Sequence, residues 1–201
     1  MHSLVSAVFA ALAEHLEPLG FSFDEKRNRF ARSKGNRTEV FAFRVMNDRP
    51  GHRISPTIGI RFEECEAIFH RSSGFERQYH EGTMTVGMDL EIEFSISRRS
   101  DVNNVVEELV RIFQQSAEPY FKSFTSIEDV DKALNDDPAK ASEHAPNVWL
   151  RCSAGAIAAR LAGRPEFAEL AETYRKRVAK LSRGFYLSNF EKLLADLSRP
   201  E

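Results

Sequence analysis

The sequence predicts an α+β fold: an antiparallel sheet packed against an N-terminal helix and a following helix, with a helical C-terminal appendage. Three patterns indicate it. Apolar residues recur at helical spacing near the N-terminus, at every second position between about residues 21 and 97, and again at helical spacing from about residue 100. We expect a sheet domain over 1–137 and three helices over 138–201. The sequence leaves open whether these helices pack on the sheet domain.

The first predicted helix covers about residues 2–18. Its apolar residues form one stripe, typical of an amphipathic helix that packs on a core, and Pro18 and Gly20 are expected to end it. No Lys or Arg precedes Lys26, so the segment lacks the basic start of a secretory signal. No other stretch approaches the roughly 20 apolar residues of a membrane-spanning helix. We therefore expect a cytoplasmic protein with no membrane partner.

Two alternating patterns predict most of the sheet. Residues 41–62 form the clearest hairpin, with a turn at Pro50 and Gly51, while Pro56 indicates an edge position or a bulge on the second strand. Residues 84–96 alternate apolar and polar positions without interruption. That alternation predicts one long strand with one face buried and the other in water.

Helices are predicted throughout the remainder of the chain. Residues 100–119 carry an apolar stripe that begins at a predicted N-cap, Ser100, and ends at Pro119. Ser126 and Asp129 resemble a capping box that starts a short helix, and the polar residues 135–146 resemble a linker. Three helices follow: from near Pro146 to Gly163, from Pro165 to near Gly184, and from a capping box of Ser188 and Glu191.

The composition narrows the classes of function. The chain has 28 Lys and Arg against 30 Asp and Glu, for a net charge of -2, so it lacks the basic surplus of a dedicated nucleic-acid binder. Its 42% hydrophobic content supports a real core, and 16 Phe residues predict that this core is rich in Phe. The glycine-rich, metal-binding and nucleophile motifs of common enzyme classes are missing from the sequence. We assign no catalytic residue and expect no cofactor.

The stretch over 61–84 holds the most reactive side chains, including Cys65, His70 and His80. A zinc site needs three or four ligands, usually from closely spaced pairs, and intervals of five and ten residues do not match that spacing. We interpret the stretch as a polar connection, with Cys65 at a strand edge and a mobile middle at 72–74. No metal site is expected, and both cysteines are expected to be reduced thiols.

Six cations crowd into residues 26–37, and we interpret this run as a solvated hairpin that protects a sheet edge. An acidic partner surface is the second interpretation. Nucleic acid is the third, because only Phe30 interleaves with the charges and stacking is poorly supported. The cations are Lys26, Arg27, Arg29, Arg32, Lys34 and Arg37.

Charged residues also alternate along the predicted water-facing side of the sheet. If the strands are neighbours, arginines and carboxylates pair across them. Alternatively they line a polar groove, since Ala42, Gly59 and Gly87 would leave room for a ligand or a partner segment; acid–base catalysis is a third possibility. The six candidates are Arg44, Arg53, Arg61, Asp89, Glu91 and Glu93.

The order of these features resembles a bacterial family, the domain of unknown function numbered forty-three-oh-four, over about residues 4–137. The matching segments are Leu19-Gly20-Phe21, Pro119-Tyr120-Phe121 and Ser126-Ile127-Glu128. The family has no settled activity, so the resemblance supplies no catalytic residues for this chain. Similar small α+β domains occur as candidate immunity proteins beside bacterial toxins, which implies a binding role by analogy.

The leading hypothesis is therefore a non-catalytic, cytosolic bacterial module of immunity or accessory type. Its partner, another protein, would use the polar face of the sheet or the basic hairpin. One alternative is a small-ligand-binding protein or enzyme whose groove is lined by Arg44, Arg61, Asp89 and Glu91. A weaker alternative is nucleic-acid binding through residues 26–37.

Overall fold

A computed structural model describes residues 4–48, 51–145 and 147–199, and it has the predicted α+β fold. The predicted turn residue Pro50, the predicted helix start Pro146 and the first residues of the predicted N-terminal helix lie outside these ranges. The helices are α1 (Leu4–Leu16), α2 (Glu63–Ser72), α3 (Arg77–His80), α4 (Asp101–Ile112), α5 (Glu118–Ser123), α6 (Ile127–Asn135), α7 (Val148–Leu161), α8 (Phe167–Leu181) and α9 (Leu187–Leu197).

The sheet is antiparallel and has six strands in the order β1-β2-β3-β4-β5, with β6 paired to β4. The strands are β1 (Ser22–Asp24), β2 (Arg29–Lys34), β3 (Arg37–Asp48), β4 (Gly51–Phe62), β5 (Val86–Asp89) and β6 (Phe94–Ile96). None of the described helices is long and apolar enough to cross a membrane.

The chain divides into two compact units. The sheet unit comprises the chain up to residue 60 and residues 89–123; the helical unit comprises residues 61–88 and the chain from residue 124 onward. This division differs from the predicted boundary at 137. Within the helical unit α2 packs against α7 and α9, and α6 packs against α7, so segments from both sides of that boundary share one core.

Phenylalanine dominates the core of the sheet unit, as the composition predicted. The ring of Phe9 on α1 lies 5.1 Å from that of Phe23 and 5.0 Å from that of Phe43. Phe113, which follows α4, contacts Phe21 at 5.3 Å and Phe41 at 5.6 Å. Such aromatic pairs contribute about 0.5–1.5 kcal/mol each beyond the area they bury. The N-terminal helix and the helix after the sheet are thereby held on the strands.

The prediction of one long strand over 84–96 is wrong. The chain forms β5 and β6 with a break between them, where Glu91 has a left-handed backbone with φ of 52°. Pro56 explains the break. It belongs to β4, which has β3 and β6 as neighbours and is not an edge strand, and a proline has no N–H for a further strand. At this point the N–H of Leu90 donates to the carbonyl of Pro56 at 3.4 Å.

The predicted helix start at Ser100 is confirmed as a position, but the predicted side-chain cap and the predicted end at Pro119 are wrong. Ser100 precedes α4, but its side chain does not cap the helix; the carboxylate of Asp101 accepts from the N–H groups of Ser97 and Arg98 instead. Pro119 does not end the helix. A π-helical turn over Phe113–Ala117 leads into α5, and Pro119 lies in the first turn of α5, where a missing N–H is tolerated.

The helical unit confirms one predicted cap and corrects another. Ser126 and Asp129 form the predicted capping box, with the N–H of Asp129 donating to Ser126 Oγ at 3.3 Å and the N–H of Ser126 donating to Asp129 Oδ2 at 2.9 Å. Ser188 lies inside α9, which begins after Tyr186 without a side-chain cap, and Glu191 pairs with Arg175.

Small residues on α7 allow the close helix packing that their sequence predicted. At Gly155 an added Cβ would lie 2.6 Å from Asn135 Oδ1 and 2.9 Å from the ring and hydroxyl of Tyr174. Residues 136–145 belong to the segment 135–146 that was predicted to resemble a linker, and hydrogen bonds hold part of them in place. Arg151 and Arg177 donate to backbone carbonyls of this segment.

Candidate functional site

The predicted polar face of the sheet is partly neutralised by its own charges. Arg53 Nη1 lies 3.1 Å from Glu93 Oε1, and its Nε also contacts Asp48, so this arginine forms the expected cross-strand pair. Arg44, Asp89 and Glu91 are exposed. Glu91 belongs to the break between β5 and β6 rather than to a strand.

Arg61 has a different environment from the one predicted. Its Nε donates to Glu63 at 2.9 Å, and its Nη1 donates to the carbonyl of His80 at 2.7 Å and to that of Thr83 at 3.2 Å. Nη1 also lies 3.4 Å from Glu66 Oε2. These contacts occupy the guanidinium within the helical unit.

The basic run is not a solvated edge hairpin. Arg32 lies opposite Glu39 in the register of β2 and β3, and β2 is an interior strand because β1 covers its other side. The fully buried Glu39 carboxylate accepts from Arg32 Nε at 2.7 Å and Arg37 Nη2 at 2.8 Å, and Lys34 Nζ lies 3.6 Å away.

Of the remaining cations of the run, two contact a second carboxylate and one is exposed to water. Arg27 and Arg29 contact Asp24 at 3.0 and 3.1 Å, and their charges and hydrogen bonds outweigh burial and lower the pKa of that carboxyl. Lys26 is exposed. Neutralisation by Asp24 and Glu39, which the sequence reasoning missed, weakens the case for a phosphate-binding hairpin.

Within residues 61–84, β4 ends at Phe62, and the helices α2 and α3 follow where a strand edge and a mobile loop were expected. Cys65 lies on α2 and is buried, as are Ser72 and Ser73. Burial raises the pKa of the Cys65 thiol, and burial raises that of Cys152 to about 12, so both free cysteines stay protonated. Across the described ranges, no three or more His, Cys, Asp or Glu residues are placed to hold a metal ion.

A partly buried polar cluster around the buried Glu66, which we call the Glu66 cluster, consists of Arg61, Glu66, His70, His80 and Thr83. Thr83 Oγ1 donates to Glu66 Oε2 and lies 2.9 Å from His70 Nε2. The imidazole rings of His70 and His80 stack at 3.7 Å with an angle of 6°. Burial raises the pKa of Glu66 although the hydroxyl donors and Arg61 oppose it.

The cavity beside the Glu66 cluster is small. Its volume is about 20 Å³, and its lining is mainly apolar, including Cys65, Phe69 and Leu150. A volume of this size accommodates one water molecule. A buried carboxyl with a shifted pKa is a recognised sign of a chemical site, but this cavity leaves no room for an organic substrate.

The histidine stack has a measurable consequence. Burial, and after it the neighbouring charges of His80 and Arg61, lower the pKa of His70 from 6.5 to about 4. We expect His70 to remain neutral down to about pH 4 in an NMR titration of its ring nitrogens. Because the unfolded chain takes up this proton first, stability should fall as pH falls from 6.5 towards 4. His70→Asn should remove this part of the pH dependence; a midpoint near 6.5 would contradict the prediction.

Phe75, Phe185 and the half-buried Tyr186 lie around the buried Trp149 and define what we call the aromatic surface. Tyr186 stacks on Trp149 at 4.3 Å with an angle of 3°. Phe75 meets the Trp149 edge at 5.5 Å, and Phe185 meets Tyr186 at 4.8 Å. Phe185 is 77% exposed and Phe75 is 37% exposed, whereas Trp149 is 4% exposed.

The local sequence positions this surface. α8 ends at Leu181, and a turn through Arg183 and Gly184 brings the chain to α9 with Phe185 and Tyr186 between the helices. The amide of Asn189 donates to the Ser72 carbonyl at 2.8 Å, which holds the loop before Phe75 against α9. The sequence reasoning did not find this surface. Its only signal was the pair of aromatic residues directly after a glycine at a helix end.

Comparison of the chain with models of known families, with curated proteins and with solved structures found no match. The resemblance to the domain family of unknown function therefore stays a prediction.

Proposed function

We propose that the chain is a non-catalytic, cytoplasmic protein-interaction module of accessory or immunity type that binds another protein through the aromatic surface. The observation that carries the proposal is Phe185, a large apolar side chain that remains mostly in water although an ordered aromatic stack supports it. Aromatic side chains are enriched at the energetic centres of protein interfaces, because they bury a large area at a low entropic cost.

The support of the aromatic surface favours binding over accidental exposure. The ring of Trp149 packs against that of Phe69 at 5.3 Å and against that of Tyr186, so a packed side chain supports the exposed rings. A surface that is already ordered loses little conformational freedom when a partner covers it. This pre-organisation is what a docking surface requires.

The other interpretations have less support. Arg32 and Arg37 of the basic run are bound by Glu39, and Arg53 is bound by Glu93, so these charges are already satisfied within the chain. The Glu66 cluster offers the chemistry that an enzyme or ligand-binding protein would use. Its adjacent cavity, at about 20 Å³, has room for a water molecule but not for an organic substrate.

Site-specific photo-crosslinking tests the proposal. A photoreactive phenylalanine analogue at position 185, in cells of the source organism, should give one discrete crosslinked protein that mass spectrometry identifies. The same analogue in place of Ile92, another exposed apolar residue, is the control and should not capture that protein.

The purified partner should then bind the wild-type chain and lose affinity for Phe185→Ser. If position 185 yields only the products obtained at position 92, or if the Phe185→Ser change leaves the affinity unaltered, the proposed function is wrong.

A further inference from the structure

We infer that the segment of the partner that docks on the aromatic surface is acidic and carries an apolar anchor residue. This inference rests on the proposed function and specifies the chemistry of the partner. It starts from the charges that border the exposed rings, which differ from the charges elsewhere on the same helix.

Three cations close in sequence to the residues of the aromatic surface form no ion pair with any described residue. Lys180 and Arg183 are exposed and form no ion pair with a described residue, and the same holds for Arg77, two residues after Phe75. One turn earlier on α8, Arg175 and Lys176 are both paired with Glu172. On α8, therefore, Glu172 engages two of the cations, whereas Lys180, nearer the end that carries the aromatic surface, has no acidic partner among the described residues.

Acidic residues do not cancel this charge on the α8–α9 side. The segment over 180–187 contains Lys180 and Arg183 and no Asp or Glu. On the α3 side Glu76 is present, and Gln78 donates to its carboxylate at 2.8 Å. A partner that covers Phe185 thus meets a positive border along the connection between α8 and α9.

The backbone holds Arg183 in a fixed place. Its φ is 51°, in the left-handed region that a non-glycine residue adopts at a cost, and Gly184 follows with φ of 80°. The N–H of Gly184 donates to the carbonyl of Ala179 at 2.9 Å, and the N–H of Phe185 donates to that of Ser182 at 3.0 Å. These two hydrogen bonds close the turn after α8 and set the position of the Arg183 backbone beside Phe185.

Carboxylates are the groups that such a border recognises. A guanidinium binds a carboxylate through paired hydrogen bonds, and an apolar side chain beside the carboxylate would cover Phe185 and Phe75. Single-stranded nucleic acid also combines cations with stacking, but it needs a groove of cations that follows its backbone. The connection offers two cations on a chain of net charge -2, which suits a short acidic peptide segment better.

Trp149 provides the reporter for the test, because it is the single tryptophan of the chain and contacts both Tyr186 and Phe75. The probe is a tryptophan-free synthetic peptide of Asp, Leu and Phe residues. The control is the same peptide with Lys in place of every Asp. The acidic peptide should change Trp149 emission saturably, with an affinity that falls as salt rises. Arg183→Glu should weaken the affinity for the acidic peptide roughly ten-fold. Arg99→Glu, the same change at an exposed arginine of the sheet unit, should leave that affinity unchanged.

Each outcome decides the matter. The inference of an acidic partner segment is wrong if the two peptides bind equally, if Arg183→Glu does not change the affinity, or if no saturable signal is seen. The proposal that the surface binds a protein is then decided separately by the crosslink at position 185. Tighter binding of oligo-deoxythymidine or of phosphatidylglycerol vesicles, lost on Arg183→Glu, would overturn it in favour of a nucleic acid or a membrane surface.

Discussion

Replacing Glu39 by Ala should lower the free energy of unfolding by about 3–5 kcal/mol, because it removes the buried acceptor that three cations share. Glu39 is fully buried, and the side chains of Arg32 and Arg37 are mostly covered. Without the carboxylate these guanidinium groups remain in a place that water reaches poorly. The loss is a large part of the 5–15 kcal/mol that usually stabilises a domain. Urea denaturation followed by far-UV circular dichroism measures it.

The matched control is Glu93→Ala, which breaks the Arg53 pair at the surface of the same sheet unit. Both groups of that pair are partly in water, so its removal should cost much less. If the two variants unfold at the same urea concentration, Glu39 does not hold the basic run in the way described.

Replacing Arg151 by Met should destabilise the helical unit by about 3 kcal/mol or more, since each buried carbonyl left without a donor costs about 1–3 kcal/mol. The buried guanidinium donates from Nη2 to the carbonyls of Leu134 and Asp137, both at 3.0 Å, and from Nη1 to that of Lys140. Leu134 lies in the last turn of α6, where the helix dipole also favours a cation.

Arg160→Met is the control for Arg151→Met. Arg160 lies on the same helix and is exposed, and its Nε donates to one carbonyl, that of Leu197, at 2.9 Å. The fluorescence of Trp149 on α7 follows unfolding of both variants in urea. We expect a much larger loss for Arg151→Met, and equal losses would show that Arg151 does not organise the connection after α6.

Local patterns in the sequence predicted the elements whose structure depends on neighbouring residues. The Ser126–Asp129 capping box and the apolar stripe of α4 are of this kind, since their partners lie within one or two turns. α2 was missed although local signals existed. Glu63, Glu64 and Glu66 occupy its first turn and His70 and Arg71 its last, an arrangement that the helix dipole favours.

Features that depend on residues distant in the sequence were not predicted by such local patterns. The break between β5 and β6 follows from Pro56 on another strand. The partner of Arg32 could have been found from the register of the β2–β3 hairpin, which places Glu39 directly opposite. The aromatic surface could not, because Phe75, Trp149 and Tyr186 come from three separate parts of the chain and meet only through the packing of α2, α7 and α9.

The central claim is that the aromatic surface binds a protein partner. The most direct test is isothermal titration calorimetry with the purified protein that crosslinking at position 185 identifies. Phe185→Ser should weaken binding at least about ten-fold, as expected for an aromatic side chain at the centre of an interface, while Ile92→Ser should bind like the wild type. Unchanged affinity for Phe185→Ser, or an equal loss for Ile92→Ser, would contradict the claim.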